Sequence, residues 1–312
     1  MFRVFSNAWK VEDLRKKMLF TLFIIVLYRL GSSIAVPYVD GKALSDMFNS
    51  SSVQGSLLGY FNMLSGDAFA QATLFALGVS PYITSSIVMQ LLTIAIPPLE
   101  RLSKSGPEGQ RKITTITRYV TIALALVTSY GYYLTINNQG LVAKGWFPAL
   151  VIVASHTAGA ALVMWIGERI DEKGIGNGIS MILFANIVSR GPTLLFTMVE
   201  FLTTDFAGMV GWVLLALIMM VAIITLVVFF SNSERRLTVQ YAKRQVGRKM
   251  YGGTNTNLPI KVLMSGVMPI IFANAIVALP STLALIIPSW EGFVNKWLST
   301  RSWIYVLFLF VL

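Results

Sequence analysis

FNMLSGDAFAQATLFALGVSPYITSSIVMQLL, residues 61–92, is the stretch whose reading decides the fold. Its first part belongs to a moderately apolar segment, residues 57–71, loosened by Gly59 and Gly66. Such a segment is too polar to span a bilayer and too apolar to float. It must be buried in protein, sit in a cavity or lie as a short helix on the outer surface. The second part opens a run over residues 72–96 that is long enough to cross a membrane. Gly78 weakens that helix, Pro81 removes a backbone donor, and Thr84, Ser85, Ser86 and Gln90 add hydroxyls and an amide. Val79 and Ile83, four residues apart, share a face. Small and polar residues in a span serve close helix packing, or mark a helix that slides or parts from a neighbour; both readings stand at this point.

Working outward, a spanning helix needs about 20 mostly apolar residues, since the hydrocarbon core is roughly 30 Å thick. Six other stretches qualify: residues 18–36, 113–136, 147–166, 178–201, 207–230 and 262–287. An eighth apolar run, residues 303–312, is too short to cross and reads as the start of a further helix, so a longer native protein is expected. The first run follows charged residues as a signal peptide would, but no small-residue cleavage site follows it and further spans do, so it reads as a permanent helix. The composition agrees. Of 312 residues 55% are hydrophobic and 12% charged, whereas soluble chains carry roughly 25% charge. The mean hydropathy is +0.69. An ordinary soluble domain is excluded.

Charge placement orients the spans. With the N-terminus inside, alternate assignment leaves only Arg29, Lys42, Lys144, Arg190, Lys296 and Arg301 of the 25 Lys and Arg outside. That bias is the positive-inside pattern, so the net charge of +11 needs no nucleic acid to explain it. Two inner loops stand out. Residues 97–112, PPLERLSKSGPEGQRK, mix charge with Pro and Gly. Residues 231–259 contain ERRLTVQYAKRQVGRKMYGGTNTNLP, in which cations alternate with Val239, Tyr241 and Met250 in a pattern that suits a hairpin projecting into the cytoplasm. Attraction to anionic lipid accounts for part of this charge; a large anionic docking partner, protein or ribonucleoprotein, accounts for the excess.

Catalytic chemistry finds little support. There is no cysteine, and His156 is the single histidine, which excludes thiolate catalysis and Cys/His metal cages. His156 reads as a packed or helix-bonded residue. The GIGNG run, residues 174–178, lacks the preceding strand and glycine spacing of a dinucleotide site and reads as a flexible turn entering a helix. Ile179 and Leu183 follow it at helical spacing. Pro269 and Pro280 divide the seventh span, where Asn274 places an amide inside lipid and so should face protein or water.

Four strings in chain order now join the opening one: GPEGQRKITTITRY, MWIGERIDEKGIGNGISMILFANIV, ERRLTVQYAKRQVGRKMYGG and LPIKVLMSGVMPIIFAN. Together they resemble the bacterial SecY family, the channel-forming subunits of the protein-conducting translocon. The resemblance covers about the first seven of that family's ten helices and the beginning of the eighth. It implies an all-α polytopic membrane fold: a cytoplasmic N-terminal segment, residues 1–17; a five-helix first half, residues 18–201; and an incomplete second half, residues 202–312, with the basic loop at about 231–261. In the family two such halves close like a clamshell around an hourglass pore. Carried over motif by motif, the plug falls on the segment holding Phe61, Asn62, Met63, Leu64, Ser65, Gly66 and Asp67. The aliphatic pore ring falls on Val79, Ile83, Ile179, Leu183 and Ile271. The lateral gate, through which signal sequences leave sideways, takes in Thr84, Gln90, Asn274 and Leu279, and docking of the ribosome or the SecA motor falls to Tyr241, Lys243, Arg244 and Arg248.

The implied function is passage of unfolded secretory polypeptides across the bacterial plasma membrane. The implied partners are the SecE and SecG small subunits, SecA, the ribosome, signal sequences with their preproteins, and membrane lipid. No catalytic residue, metal or cofactor is expected. The chain departs from the family pattern at IAVPYVD, residues 34–40, where a turn of IPIPG type is usual, and at Asp67, where a second glycine is common. A charge at Asp67 is expected to favour a water-filled outer funnel. A secondary transporter is the rival reading, but it requires ionisable residues in mid-span, and Glu168, Glu200 and Asp205 lie at span ends. An intramembrane enzyme would need a catalytic dyad or metal site, and none is visible.

Overall fold

The computed structural model describes residues 9–49, 57–204, 206–239, 244–246, 249–251 and 256–261, with 292, 302–304, 307 and 310 besides. The first helix, α1, runs Glu12–Gly31. It stops short of the expected residue 36 because Ser32 and Ser33 both turn their hydroxyls back onto the Arg29 carbonyl, at 2.8 and 2.9 Å. The chain then extends: Val36 N–H donates to the Ala72 carbonyl at 3.0 Å and Leu74 N–H to the Ile34 carbonyl at 2.8 Å. On α1 itself Thr21, Ile24 and Tyr28 are buried, while Leu19, Leu22, Phe23, Val26, Leu27 and Leu30 form an exposed apolar stripe. A helix that is apolar on both its buried and its open face is suited to lipid.

Helix α2, Gly41–Asn49, fills part of the long connection. Asp40 caps it by accepting from Lys42 N–H and Ala43 N–H. Leu44 and Phe48, one turn apart, seat it in the core, each contributing about 2 kcal/mol of burial. Helix α3, Leu57–Ser65, follows. Residues 66–79 are turns rather than the start of the second span, and α4 begins only at Ser80, running Ser80–Ala95. Pro81 accounts for the later start. It lies in the first turn of α4, where its missing N–H costs nothing and its ring blocks any helix on its N-terminal side. At the other end α5, Pro97–Lys104, leaves α4 at a bend of 102°.

Two long helices complete the frame, α6 (Pro107–Asn138) and α7 (Trp146–Lys173). Ser129 of α6 donates to the Val153 carbonyl of α7 at 3.0 Å, and Arg118 pairs with Glu168 at 2.7 Å. Ser85 of α4 and Thr121 of α6 share a buried hydroxyl bond. His156 is fully buried and edge-on to Tyr132, with ring centroids 5.2 Å apart. The GIGNG run is pinned rather than loose: Asp171 accepts from Gly178 N–H at 2.7 Å, Thr21 from Ile175 N–H at 3.0 Å, and Asn177 caps the next helix through Ser180 N–H. That helix is α8, Gly178–Ser189.

A second compact unit takes in residues 192–271. It holds most of α9 (Gly191–Thr204) and all of α10 (Phe206–Asn232). The sequence after α10 forms the expected hairpin: β1 (Glu234–Val239) pairs antiparallel with β4 (Thr256–Lys261), and β2 (Arg244–Val246) with β3 (Lys249–Tyr251). Glu234 faces Lys261 across the ladder, an opposite-charge pair of the kind that helps fix register.

Among the described residues four stretches are long and apolar enough to cross a membrane: Pro107–Asn138, Trp146–Lys173, Gly178–Glu200 and Val210–Asn232. The bent pair α4 with α5 makes a fifth if counted as one span. The first expected span, α1, is 20 residues long, but Arg15, Lys16, Lys17 and Arg29 leave it short of an uncharged apolar stretch of that length. The seventh expected span lies outside the described residues.

Candidate functional site

The site is built where α3, the turns after it, α4 and α8 meet. Two apolar clusters hold them. One joins Phe69, Ala72, Ala76 and Leu77 of the turns to Tyr132, Ile136 and Ile152; the other joins Ile24, Tyr28, Phe75 and Val79 to Val163, Ile170 and Ile182, with Ile83 and Ile179 packed against it. Tyr28 and Phe75 stack with ring planes 3° apart. The turns come so close to α7 that a Cβ at Gly159 would lie 1.9 Å from the Leu74 carbonyl oxygen.

Polar groups fasten what the apolar clusters leave. Tyr132 donates its hydroxyl to the Phe69 carbonyl at 2.8 Å. Within α3, Asn62 accepts from Ala70 N–H at 2.9 Å and donates to Asp67 at 3.0 Å, while Ser65 accepts from Phe69 N–H at 3.0 Å. These bonds close α3 and its turns into one knot. On α8, Asn186 donates to the Leu64 carbonyl at 2.8 Å and to the Tyr28 hydroxyl at 3.0 Å. One turn on, Arg190 Nε donates to Asp67 at 2.9 Å, and a second guanidinium nitrogen bonds the other carboxylate oxygen. The end of α3 is also wedged in place. A Cβ at Gly78 would meet Ser65 Cα at 3.7 Å, and one at Gly66 would meet the Asn186 carbonyl oxygen at 3.1 Å.

Comparison with known proteins gives this arrangement a family. The SecY family model matches residues 73–312. The protein translocase subunit SecY of Streptomyces scabiei is 41% identical over 312 residues, covering 95% of this chain and 70% of that protein. The corresponding subunit of Corynebacterium glutamicum is 41% identical over 326 residues, covering 98% and 73%. The chain belongs to the SecY family.

Solved structures extend the likeness to the fold. A protein-conducting channel matches with TM-score 0.62 and 19% identity, and Sec61 of a canine ribosome-channel complex from the endoplasmic reticulum with 0.60 and 18%. A SecY protein whose plug domain stabilises the closed state and maintains a membrane seal matches with 0.59 and 19%. Each comparison covers 87% of this chain, and the chain spans 58% of the length of each of those channels. The helical membrane fold is thus that of the SecY channels.

Within this SecY-family chain, the residues expected at the plug fall on α3 and the turn after it. Asn62 and Ser65 are buried, Leu64 is half-buried, Met63 is exposed, and Phe61 is placed by its backbone. Of the expected ring, Val79 precedes α4 and is buried, and Ile83 lies one turn on in the same cluster. Ile179 joins that cluster, but it points at α7, with its Cδ1 2.6 Å from where a Cβ on Gly167 would stand. Leu183, one turn further, is half-exposed and outside the cluster. Ile271 lies outside the described residues.

Of the expected gate, Thr84 is half-buried and Gln90 exposed on α4; Asn274 and Leu279 lie outside the described residues. Arg244 lies in β2 of the hairpin, while Tyr241, Lys243 and Arg248 lie outside the described residues. The residues that sequence reasoning missed are Asn186 and Arg190. From the sequence Arg190 reads only as an outer cation. Its signal in the sequence is isolation, since it is the single cation between Lys173 and Arg235.

Proposed function

We propose that this chain is the pore-forming part of a protein translocation channel, which passes unfolded polypeptides across the bacterial plasma membrane and lets signal and transmembrane segments leave sideways into lipid. The observation that carries the reading is the seat of α3: its end lies against Gly78, next to Val79, on one side and against Asn186, one turn from Leu183, on the other. A short helix seated beside the chain positions expected to carry the collar is what a plugged constriction requires. Family membership and the fold likeness support the same reading.

In this reading the collar is formed by Val79, Ile83, Ile179 and Leu183 with Ile271, and Ile179 also packs against α7 at Gly167. Aliphatic walls offer ions no ligands to replace their water, yet they deform around a passing chain. Opening is a population shift, driven by a signal sequence that binds the open gate, Thr84 and Gln90 facing Asn274 and Leu279, better than the closed one. The chain supplies no chemistry of its own to drive transport, so the energy comes from SecA or from the elongating ribosome. These dock on the basic hairpin through Tyr241, Lys243, Arg244 and Arg248. With the N-terminus cytoplasmic, the hairpin and α5 lie on the inner side. The SecE and SecG subunits complete the assembly.

The test is reconstitution of the intact protein with its small subunits in proteoliposomes, followed by ATP- and SecA-dependent uptake of a secretory precursor. Protease-protected precursor is the expected result. Uptake of a small solute with no precursor protection would overturn the channel reading in favour of a transporter.

A further inference from the structure

Asp67 is the only charged residue between Asp46 and Glu100. It stands at φ 72°, a left-handed conformation that glycine adopts freely and Asp adopts at a cost. The carboxylate therefore stands at a backbone position that glycine would hold more freely. Its contacts supply the reason. Arg190 grips both carboxylate oxygens in a forked pair, the geometry that makes guanidinium–carboxylate contacts directional. Asn62 donates to the same carboxylate and so transmits the grip to α3. Asn186, four residues before Arg190 and hence on the same face of the chain as it leaves α8, holds the Leu64 carbonyl, one of the helix-end acceptors that lack a partner within α3.

Two contacts of different character thus fix one short helix to α8. The Asn186 side is fully buried; the Asp67–Arg190 side is open, with side-chain exposures of 42% and 35%. An ion pair at that exposure is weakened by salt, whereas a buried amide contact is not.

We propose that Arg190 and Asp67 form a latch that positions the plug in the closed state, and that the strength of this latch sets how good a signal sequence must be to open the channel. This rests on the reading of α3 as the plug. Asn186 is the fixed point about which the helix is held, and the ion pair is the part that yields. Screening by salt on the outer side loosens it. The latch selects substrates without touching them: a weakly binding signal sequence shifts the closed state only if the pair is already lost.

The test compares R190E, D67N and the double variant D67N/R190E in the intact protein, reconstituted with its small subunits. Asn tolerates the left-handed backbone as Asp does, so D67N changes charge and little else. Two quantities are read: closed-state ion leak in planar bilayers, and export of a precursor with a defective signal sequence. D67N is expected to raise both about three- to tenfold, and R190E to raise them further, because it sets two carboxylates face to face. Adding D67N to R190E is expected to bring the leak back down to the D67N level, which a merely structural role of Arg190 would not produce. Single variants as tight as wild type, or a double variant as leaky as R190E alone, would overturn the latch. Deletion of residues 57–67 separates the two ideas. If the deletion leaves leak and export unchanged, α3 is not a plug and the latch falls with it. If the deletion raises both while D67N and R190E do not, the plug stands and the latch alone is wrong.

Discussion

The Leu74 carbonyl oxygen lies directly over Gly159, so close that any side chain on α7 at that point would overlap it by more than an ångström of van der Waals contact. The turn segment and α7 therefore touch backbone to backbone, and the neighbouring Phe75 and Ala76 are buried by that approach.

Replacing Gly159 with Ala should lower stability by about 1–3 kcal/mol, the usual cost of overpacking. A drop in the thermal midpoint of the detergent-solubilised protein would show it. An unchanged midpoint would mean that the turn segment is free to move away from α7.

Tyr132→Phe removes one hydroxyl and leaves the Phe69 carbonyl without the donor that reaches it at 2.8 Å. The expected loss is about 0.5–1.5 kcal/mol, the net worth of one hydrogen bond, because the Phe69 carbonyl still accepts from Ala72 N–H at 3.3 Å. Denaturation of the variant beside Tyr132→Leu would separate this bond from the ring's packing against His156 and Phe69.

Paired replacement of Ile83 and Leu183 by Ser should raise the ion conductance of the resting protein several-fold in planar bilayers, while Ile179→Ser alone should act mainly through stability. Equal conductance in the pair and in wild type would show these side chains to be packing only.

Cysteines at Thr84 and at Asn274 or Leu279 should form a bridge in the resting state that stops precursor uptake until it is reduced. Full uptake with the bridge closed would remove these residues from the gate.

Charge reversal at Lys243, Arg244 and Arg248 should weaken SecA or ribosome binding at least tenfold, measured by co-sedimentation with proteoliposomes, and leave the protein's membrane insertion intact. Unaltered binding would assign the hairpin's charge to orientation and lipid.

Hydropathy located the long helices well, because α6, α7 and α10 are apolar over lengths that no other structure accommodates as easily. It misjudged the beginnings and ends where another structure was equally apolar. Residues 72–79 are as greasy as a span, yet they form buried turns; averaging over a window cannot tell a buried turn from a buried helix, and only Pro81 marked the boundary. The same holds for residues 32–36, where two serines end α1 inside an apolar run. The hairpin was legible because its β-branched and aromatic residues alternate with charges. The pairing of Arg190 was not legible. Its partner is 123 residues away, and no local pattern records a pairing made by tertiary structure.

The crossing of residues 34–36 with 72–74 has a mechanical consequence. Those two backbone bonds close the base of everything between them, so α2 and α3 belong to a leash knotted at both ends. If α3 swings aside, no slack is drawn from α1 or α4, and its reach is set by the chain between those two bonds. Return then follows first-order kinetics, independent of protein concentration, as for a door on a hinge.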